Sequence, residues 1–254
     1  METLKLGRTT PHKVYEKINA AKSQENIIRQ SLQVNSKFPL SDQATIYCGD
    51  FRDPAILAKI PDGSVSLILL DPLYANKYWS LYEAIPPIAM AKLKPNGHFV
   101  SLFGDGLKRR FMNILEAEGL IYNTDISVQL QGPFNHDQHL HISRKKKDFL
   151  WYYKGPELIT NGLLQNLIRS ERYSKDLHEM QQPTKEAEEI ISRLTFPDTG
   201  DVVLDLMMGV GTNIKAALNC GSGRKGIGIE IDQVTCKKAK AYIAASQIFR
   251  DFEV

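Results

Sequence analysis

VVLDLMMGVGTNIKAAL, residues 202–218, decides the fold class, because an apolar strand, a glycine turn and a helix follow one another without interruption. The pattern predicts that the strand ends at Asp205, that the turn carries Gly209 and Gly211, and that the helix starts near Thr212. Glycines at such a turn let the backbone approach a ligand that a side chain would obstruct. The stretch therefore predicts a βα unit with a ligand at its turn.

An acid follows at the end of the next predicted strand, within KGIGIEID (residues 225–232). A carboxylate at Glu230 could accept both hydroxyl hydrogens of a ribose. Ile214 occupies the third glycine position of the dinucleotide fingerprint, and no GK[ST] phosphate loop is present. The pattern favours an adenosine ligand without phosphates, such as S-adenosylmethionine. The alternative is a tight turn followed by a solvated acid.

A second motif ends another apolar strand, in LILLDPLYANKYW (residues 67–79). In open α/β sheets, ligands bind beyond the carboxyl ends of strands, which is where Asp71 falls. Asp71 could accept one hydrogen of an aromatic amine and the Pro72 carbonyl the other, so that the nitrogen lone pair faces a methyl donor. Tyr74 could stack on the base. Asp-Pro is also a common strand-to-turn transition, so a plain turn stays an alternative.

Strands and helices alternate along the rest of the chain, which predicts an α/β fold with a mostly parallel sheet. The predicted strands are Ala44–Cys48, Val65–Leu70, His98–Phe103, Ile121–Leu130, Phe149–Lys154, Asp201–Leu206 and Lys225–Ile231. The predicted helices include His12–Gln33, Pro54–Ile60, Tyr78–Leu93, Leu107–Glu118 and Pro183–Leu194. The polar stretch 131–147 is predicted to be a long loop.

Composition sets broad limits. A chain of 254 residues with 43% hydrophobic and 24% charged residues is typical of globular proteins, and a net charge of +3 permits a nucleic-acid partner without arguing for one. No long apolar run suggests a signal peptide or a membrane span, so we expect a cytoplasmic protein. Cys48, Cys220 and Cys236 form no CxxC pair, so neither a disulfide framework nor a cysteine-rich zinc site is expected.

The predicted loop also holds His136, His139 and His141, and it ends in the basic run 144–147. Imidazoles could bind zinc, but a metal site is not our prediction. The basic run could contact phosphates, or it could be a solvated charge run.

Together these segments resemble the amino-methyltransferases of DNA, the adenine-N6 and cytosine-N4 enzymes, whose catalytic tetrapeptide is typically DPPY and whose cofactor loop is typically D-P-F-x-G-S-G-T. The order of DPLY before DLMMGVGT resembles their permuted β group. KDLHEMQQP (residues 175–183) resembles compact methyltransferases found beside partition-protein-like domains in mobile elements.

The resemblance implies a Rossmann-like S-adenosylmethionine-dependent methyltransferase fold, with a seven-stranded, mostly parallel sheet and helices on both faces. It divides the chain into an N-terminal helical extension (1–43) and a single domain (44–254). Within that domain it implies a catalytic half (44–154), a short variable or recognition segment (155–182) and a cofactor half (183–254).

The resemblance also implies site residues. The catalytic tetrapeptide matches at Asp71, Pro72 and Tyr74. The residues implied to bind the cofactor are Asp50, Asp205, Met207, Gly209, Gly211, Thr212 and Glu230. Glu230 would bind the ribose, and Asp50 would lie near the adenine of the cofactor. Leu73, Leu206 and Met207 depart from the family pattern, which puts rate and cofactor affinity in doubt more than the fold.

These observations predict a DNA methyltransferase that uses S-adenosylmethionine and acts on a base flipped out of the duplex, with adenine N6 as the leading target. Cytosine N4, an RNA amine, and a catalytically weak nucleic-acid-binding subunit of the same fold stay open as alternatives. Because the segment 155–182 is short, we expect relaxed or very short sequence preference, or a separate specificity partner.

Overall fold

The computed structural model describes residues 42–131, 135–137, 141–170, 184–221 and 223–251. Almost all of the predicted N-terminal extension, including its helix at 12–33, lies outside the described residues. The segment 175–183 lies outside them as well.

Ten strands and six α-helices are found in the described part of the chain. The strands are β1 (Ala44–Cys48), β2 (Val65–Leu70), β3 (Leu93–Leu102), β4 (Ile121–Gln129), β5 (Asn135–Asp137), β6 (Ile142–Arg144), β7 (Lys146–Tyr153), β8 (Leu167–Arg169), β9 (Val202–Asp205) and β10 (Lys225–Glu230). The helices are α1 (Pro54–Leu57), α2 (Trp79–Lys92), α3 (Lys108–Ala117), α4 (Thr184–Leu194), α5 (Thr212–Asn219) and α6 (Gln233–Asp251).

The main sheet has eight strands in the order β1-β10-β9-β2-β3-β7-β4-β8. Only β7 runs antiparallel to its neighbours, so the prediction of a mostly parallel sheet is confirmed. The predicted count of seven strands is one too low, because β8 pairs with β4 inside the segment that was expected to be variable. Its three residues are too few to give an alternating pattern in the sequence.

Helices cover both faces of the sheet, as predicted. The central strand β2 is buried along its whole length, and its side chains alternate between two apolar cores. One core, which contains Ile68 and Leu70, packs against α2 and α3. The other, which contains Leu67 and Leu69, packs against α4 and α5. Burial on both faces explains why this strand is a continuous apolar run.

Two local predictions were wrong. β3 begins at Leu93, five residues before the predicted start, because Leu93 pairs with Val65 ahead of a register shift in the β2–β3 ladder. The predicted loop 131–147 contains a two-stranded antiparallel ribbon, β5–β6, in its described part. That pairing aligns Asn135 with Arg144, and polar strands of this kind carry no apolar periodicity.

A disulfide joins Cys48 and Cys236, whose Cα atoms are 5.8 Å apart. The sequence predicted no disulfide, so that prediction is wrong for this pair. The two residues are 188 positions apart, and only the fold brings the end of β1 beside the first turn of α6. Within the residues that the structure describes, no helix combines the length and apolarity needed to cross a membrane.

Candidate active site

The carboxyl ends of β1, β10, β9 and β2 lie side by side at one edge of the sheet, because these strands are parallel. We call this the active-site edge. The chain leaves β2 toward β3 on one side and leaves β9 toward β10 on the other. Open α/β sheets have a crevice where the strand order reverses in this way. Here the crevice separates Asp71, after β2, from Asp205, at the end of β9.

A cavity of about 470 Å³ opens at this crevice. Its size falls within the range of roughly 300–1,000 Å³ that is usual for small-molecule sites. It brings together every predicted site residue except Gly211. The predicted residues that line it are Asp50, Asp71, Pro72, Tyr74, Asp205, Met207, Gly209, Thr212 and Glu230.

Gly211 and Gly209 serve different purposes in the turn. Gly211 has φ +87°, and a Cβ there would lie 2.8 Å from Ile243 Cδ1, so this glycine allows α6 to pack closely. Gly209 has φ +54°, and a Cβ there would meet no atom within 4 Å, so its backbone borders open space in the cavity. Close approach to a ligand is therefore available at Gly209, whereas Gly211 shapes the turn.

The Glu230 carboxylate is held in place by the backbone around it. Its Oε2 accepts a hydrogen bond from the Gly209 N–H at 3.0 Å, and its Oε1 accepts one from the Asp232 N–H at 2.8 Å. Each carboxylate oxygen has a second lone pair, so both can still accept a hydrogen from a ligand. The glycine loop and the predicted ribose acid are thus directly linked.

Asp205 lies at the bottom of the cavity with 2% of its surface exposed. It accepts hydrogen bonds from the Met207 N–H at 3.0 Å and from Asn213 Nδ2 at 2.8 Å. Burial, with smaller contributions from the charges of Asp71 and Glu230, raises the pKa of Asp205 to about 7 against these hydrogen bonds. Burying a carboxylate among other carboxylates favours its neutral form.

The carboxylates that line the cavity suit a cationic ligand. Asp71, Asp205 and Glu230 all line one space and repel one another. A positive charge bound between them would relieve that repulsion and favour the ionised form of Asp205. S-adenosylmethionine carries a sulfonium and an ammonium group, so the residues present fit this cofactor.

Asp50 lines the cavity in a fixed orientation. Arg52 Nε lies 3.0 Å from Asp50 Oδ1, and Arg52 Nη2 lies 2.6 Å from Oδ2, so the guanidinium binds both oxygens. The Arg52 N–H also donates to Oδ1 at 2.9 Å. Hydrogen bonds from Arg52 lower the pKa of Asp50, which keeps this carboxylate ionised. Arg52 was not singled out from the sequence, although it lies only two residues after Asp50.

The DPLY tetrapeptide forms the lip of the cavity. Pro72 is buried, whereas Leu73 and Tyr74 have 52% and 41% of their surfaces exposed. The loop after β3 supports this lip, because a Cβ at Gly104 would lie only 2.7 Å from the Tyr74 carbonyl oxygen. An apolar and an aromatic side chain therefore face outward beside Asp71, where an incoming base could pack.

A buried tyrosine lies beneath the lip. Tyr82 is fully buried, stacks on Trp79 at 5.9 Å between ring centroids and meets Phe111 edge-on. Burial, with a smaller contribution from the charge of Asp71, raises the pKa of Tyr82 to about 12. No pattern in the sequence indicated that Tyr82 lies near the site.

No group of three or more histidine, cysteine, aspartate or glutamate side chains with metal-binding geometry is found among the described side chains. His139 of the histidine loop lies outside the described residues.

The family model for DNA methylases of the N6/N4 type matches residues 70–241. The chain belongs to this family. The match begins at the end of β2 and extends into α6, so it includes the DPLY lip, the glycine turn and Glu230. No curated protein matches this DNA methylase at a significant level.

Solved structures of similar fold agree with the family. The M1.HpyAVI–SAM complex is 25% identical over 79% of this chain and 99% of its own, with a TM-score of 0.64. The cytosine-N4-specific PvuII DNA methyltransferase is 19% identical, over 84% and 93%, with a TM-score of 0.67.

A protein from Thermus thermophilus described as a DNA modification methylase, in complex with S-adenosyl-L-methionine, is 20% identical. The match covers 80% of this chain and 94% of that one, with a TM-score of 0.65. The likeness to the PvuII and Thermus proteins concerns the fold alone.

Proposed function

We propose that this DNA methylase transfers a methyl group from S-adenosylmethionine to an exocyclic base amine in DNA, with adenine N6 as its target. The observation that supports this most is that the DPLY lip and the Glu230–Gly209 pair border the same cavity. A methyl donor bound at the Glu230–Gly209 pair would therefore face an amine bound at the DPLY lip. Methyl transfer between bound partners depends chiefly on such positioning.

The cofactor half of the cavity offers a partner for each part of the proposed donor. Glu230, held by the Gly209 N–H, would accept the ribose hydroxyl hydrogens, and Asp50, oriented by Arg52, would lie near the adenine. The open backbone at Gly209 and the side chains of Met207 and Thr212 line the path between them. When bound, S-adenosylmethionine supplies an activated methyl group on its sulfonium.

The DPLY lip positions the amine of the target base. The exocyclic nitrogen is a weak nucleophile because its lone pair is delocalised into the base. In the proposed arrangement, the Asp71 carboxylate accepts one amine hydrogen and the Pro72 carbonyl accepts the other, which turns the lone pair toward the methyl group. Tyr74 stacks on the base, a contact worth about 1–3 kcal/mol. The base reaches this position by flipping out of the duplex, at a cost of a few kcal/mol.

We propose relaxed or very short sequence preference for the isolated chain. Sequence readout needs several side chains that reach base edges, and the segment 155–182 is short. In its described part it contributes the strand β8 to the sheet. Sequencing methylated plasmid at single-base resolution checks this, and one site of five or more defined base pairs would contradict it. The alternative is a separate partner protein that supplies the sequence specificity.

We propose that the protein binds its DNA substrate in the cytoplasm.

A methyl-transfer assay tests the proposed function. Purified protein is incubated with plasmid DNA and radiolabelled S-adenosylmethionine, and the nucleosides are identified by mass spectrometry. We expect N6-methyladenine. N4-methylcytosine would correct the target base, and transfer only to RNA would correct the substrate. Cofactor binding without any transfer would support a non-catalytic subunit.

A further inference from the structure

The active-site edge continues past β2 along the strands β3, β7, β4 and β8. β3, β4 and β8 end on this edge, and the antiparallel β7 begins on it, where Lys146 pairs with Gln129. We call this stretch the outer edge. Adjacent strands are separated by about 4.8 Å, so the outer edge spans roughly 14 Å from β3 to β8.

Exposed basic residues lie along the outer edge at three of its four strands, β3, β7 and β8. Arg109 and Arg110 are in the first turn of α3 after β3, Lys145 and Lys146 lie at the start of β7, and Arg169 is the last residue of β8. The sequence analysis considered only the basic run 144–147. The others were missed because they are up to sixty residues apart along the chain and only the sheet order aligns them.

Several contacts hold this basic surface in shape. The Arg110 guanidinium lies over the Trp79 ring, 3.8 Å from its centroid, which fixes it beside the first turn of α2. Lys146 is 3.0 Å from Asp148 and keeps 60% of its side chain exposed. Lys147 differs, because it is largely buried and paired with the buried Glu186 at 2.5 Å. Lys147 therefore supports the fold rather than the surface.

The two parts of the edge differ in charge. The part over β1, β10, β9 and β2 carries the carboxylates of Glu230 and Asp71, which would repel phosphate groups, whereas Asp50 is paired with Arg52 and burial favours the neutral form of Asp205. The outer edge begins directly beside it, since β3 is the neighbour of β2. A polyanion near the lip would therefore be directed away from the cofactor cavity and along the outer edge.

We propose that the outer edge binds the phosphate backbone of the DNA strand that carries the target base, with Arg109 and Arg110 as the contacts nearest Tyr74. This inference rests on the proposed function and names the surface that it requires. A span of about 14 Å corresponds to roughly four phosphates of one strand at 3.4 Å of helix axis each. Contacts of this kind position the duplex without reading its sequence, which agrees with relaxed specificity.

The test replaces single exposed cations and measures the salt dependence of DNA binding. Arg109→Gln and Arg169→Gln are suitable, because both side chains are exposed, whereas Arg110 packs on Trp79. Lys225→Gln is the matched control, since Lys225 is an exposed cation at the start of β10, on the opposite edge of the sheet. Affinity for a short fluorescent DNA duplex is measured by anisotropy over a series of KCl concentrations.

We expect each outer-edge variant to weaken duplex binding and to lower the slope of log K against log[salt] by about 0.9 for each phosphate that the protein no longer neutralises. Lys225→Gln should bind like the wild type. Calorimetry with S-adenosylhomocysteine should give unchanged affinity for all three variants, which shows that they are folded.

Three results would overturn the inference in distinguishable ways. If the wild type binds and methylates the duplex but the outer-edge variants keep the wild-type slope, the surface is wrong and the proposed function stands. If the wild type binds S-adenosylhomocysteine but no duplex, the surface and the proposed function both fail. Tighter binding of single-stranded RNA than of the duplex would assign the surface to RNA instead.

Discussion

The two parts of the active-site edge are built from the same sheet and differ in almost every other respect. Over β1, β10, β9 and β2 the strands are parallel, glycines shape the turn after β9, and acids line a cavity. Over β3, β7, β4 and β8 one strand is antiparallel, and exposed basic residues follow the strand ends.

This difference separates two kinds of ligand. A cavity lined by carboxylates suits a small cation, whereas an exposed row of cations suits an extended anion. The DPLY lip lies at the boundary between them, because it follows β2, the neighbour of β3. A reaction between a cationic methyl donor and a base within a polyanion requires this boundary. If this division holds, substitutions on the cavity side should change cofactor binding, and substitutions on the outer edge should change DNA binding.

The largest effect is expected from replacing Asp71 in the DPLY lip, which lies at the boundary between the two parts of the edge. Asp71→Ala should lower methyl transfer by at least about 100-fold, because the amine loses the acceptor that orients its lone pair. Affinity for S-adenosylhomocysteine should stay close to that of the wild type, since Asp71 serves the amine. Transfer is measured with radiolabelled cofactor on plasmid DNA. Turnover near the wild-type level would show that the reaction takes place elsewhere.

On the cofactor side, Glu230→Ala should weaken S-adenosylhomocysteine binding by roughly 10- to 100-fold for each ribose hydrogen bond that is lost, since hydrogen bonds to a charged group contribute about 1.5–3 kcal/mol each. Glu118→Ala, which removes an exposed acid after α3, is the control and should have no effect. Isothermal calorimetry measures both variants. Unchanged affinity for Glu230→Ala would contradict the assignment of the ribose acid.

The pH dependence of cofactor binding should reflect Asp205. Its pKa is raised from 3.8 to about 7, so the contribution of Asp205 to the stability of the free protein is fully present below pH 3.8 and is lost as the pH rises through the folded-state pKa of about 7. A bound cation favours the ionised carboxylate. S-adenosylmethionine should therefore bind with release of a proton, and more weakly by up to about tenfold per pH unit below 7.

Asp205→Asn is the matched variant for this effect, because it keeps the shape of the side chain without its charge. Its affinity for S-adenosylmethionine should be lower at neutral pH and nearly independent of pH. Calorimetry in buffers of different ionisation enthalpy counts the protons. A wild-type affinity that does not change between acidic and neutral pH would contradict this role of Asp205.

The smallest effect is expected at Leu73, where this chain departs from the DPPY tetrapeptide that is typical of the family. Leu73 is exposed at the lip, so Leu73→Pro should fold normally and preserve or raise the transfer rate, because proline fits the turn of the family. The rate is measured beside that of Asp71→Ala. An inactive but folded Leu73→Pro would show that this lip has a different backbone from that of its relatives.

The parts of the fold that the sequence predicts best are those with local causes. β2 was predicted to the residue, because burial on both faces leaves a continuous apolar run between polar flanks. The turn at Gly209 and the helix that starts at Thr212 were predicted from the spacing of glycines alone. Asp71 and Glu230 followed from the rule that ligands bind beyond strand ends, whereas Asp50 and Met207 were implied only by the family resemblance.

The parts that the sequence missed depend on contacts between distant segments. Strand β8 exists because it pairs with β4, and the disulfide exists because β1 ends beside α6. The outer edge aligns Arg109 with Arg169 only through the order of the strands. Asn213 is different, since its position in the first turn of α5 after the glycine loop could have indicated its bond to Asp205.

The most direct test of the division between the two sides compares two variants with two ligands. Affinities for S-adenosylhomocysteine and for duplex DNA are measured on Glu230→Ala and on Arg109→Gln. The account predicts that Glu230→Ala weakens only cofactor binding and that Arg109→Gln weakens only DNA binding, with a reduced salt slope. Loss of both affinities in either variant, or loss of the opposite one, would contradict it.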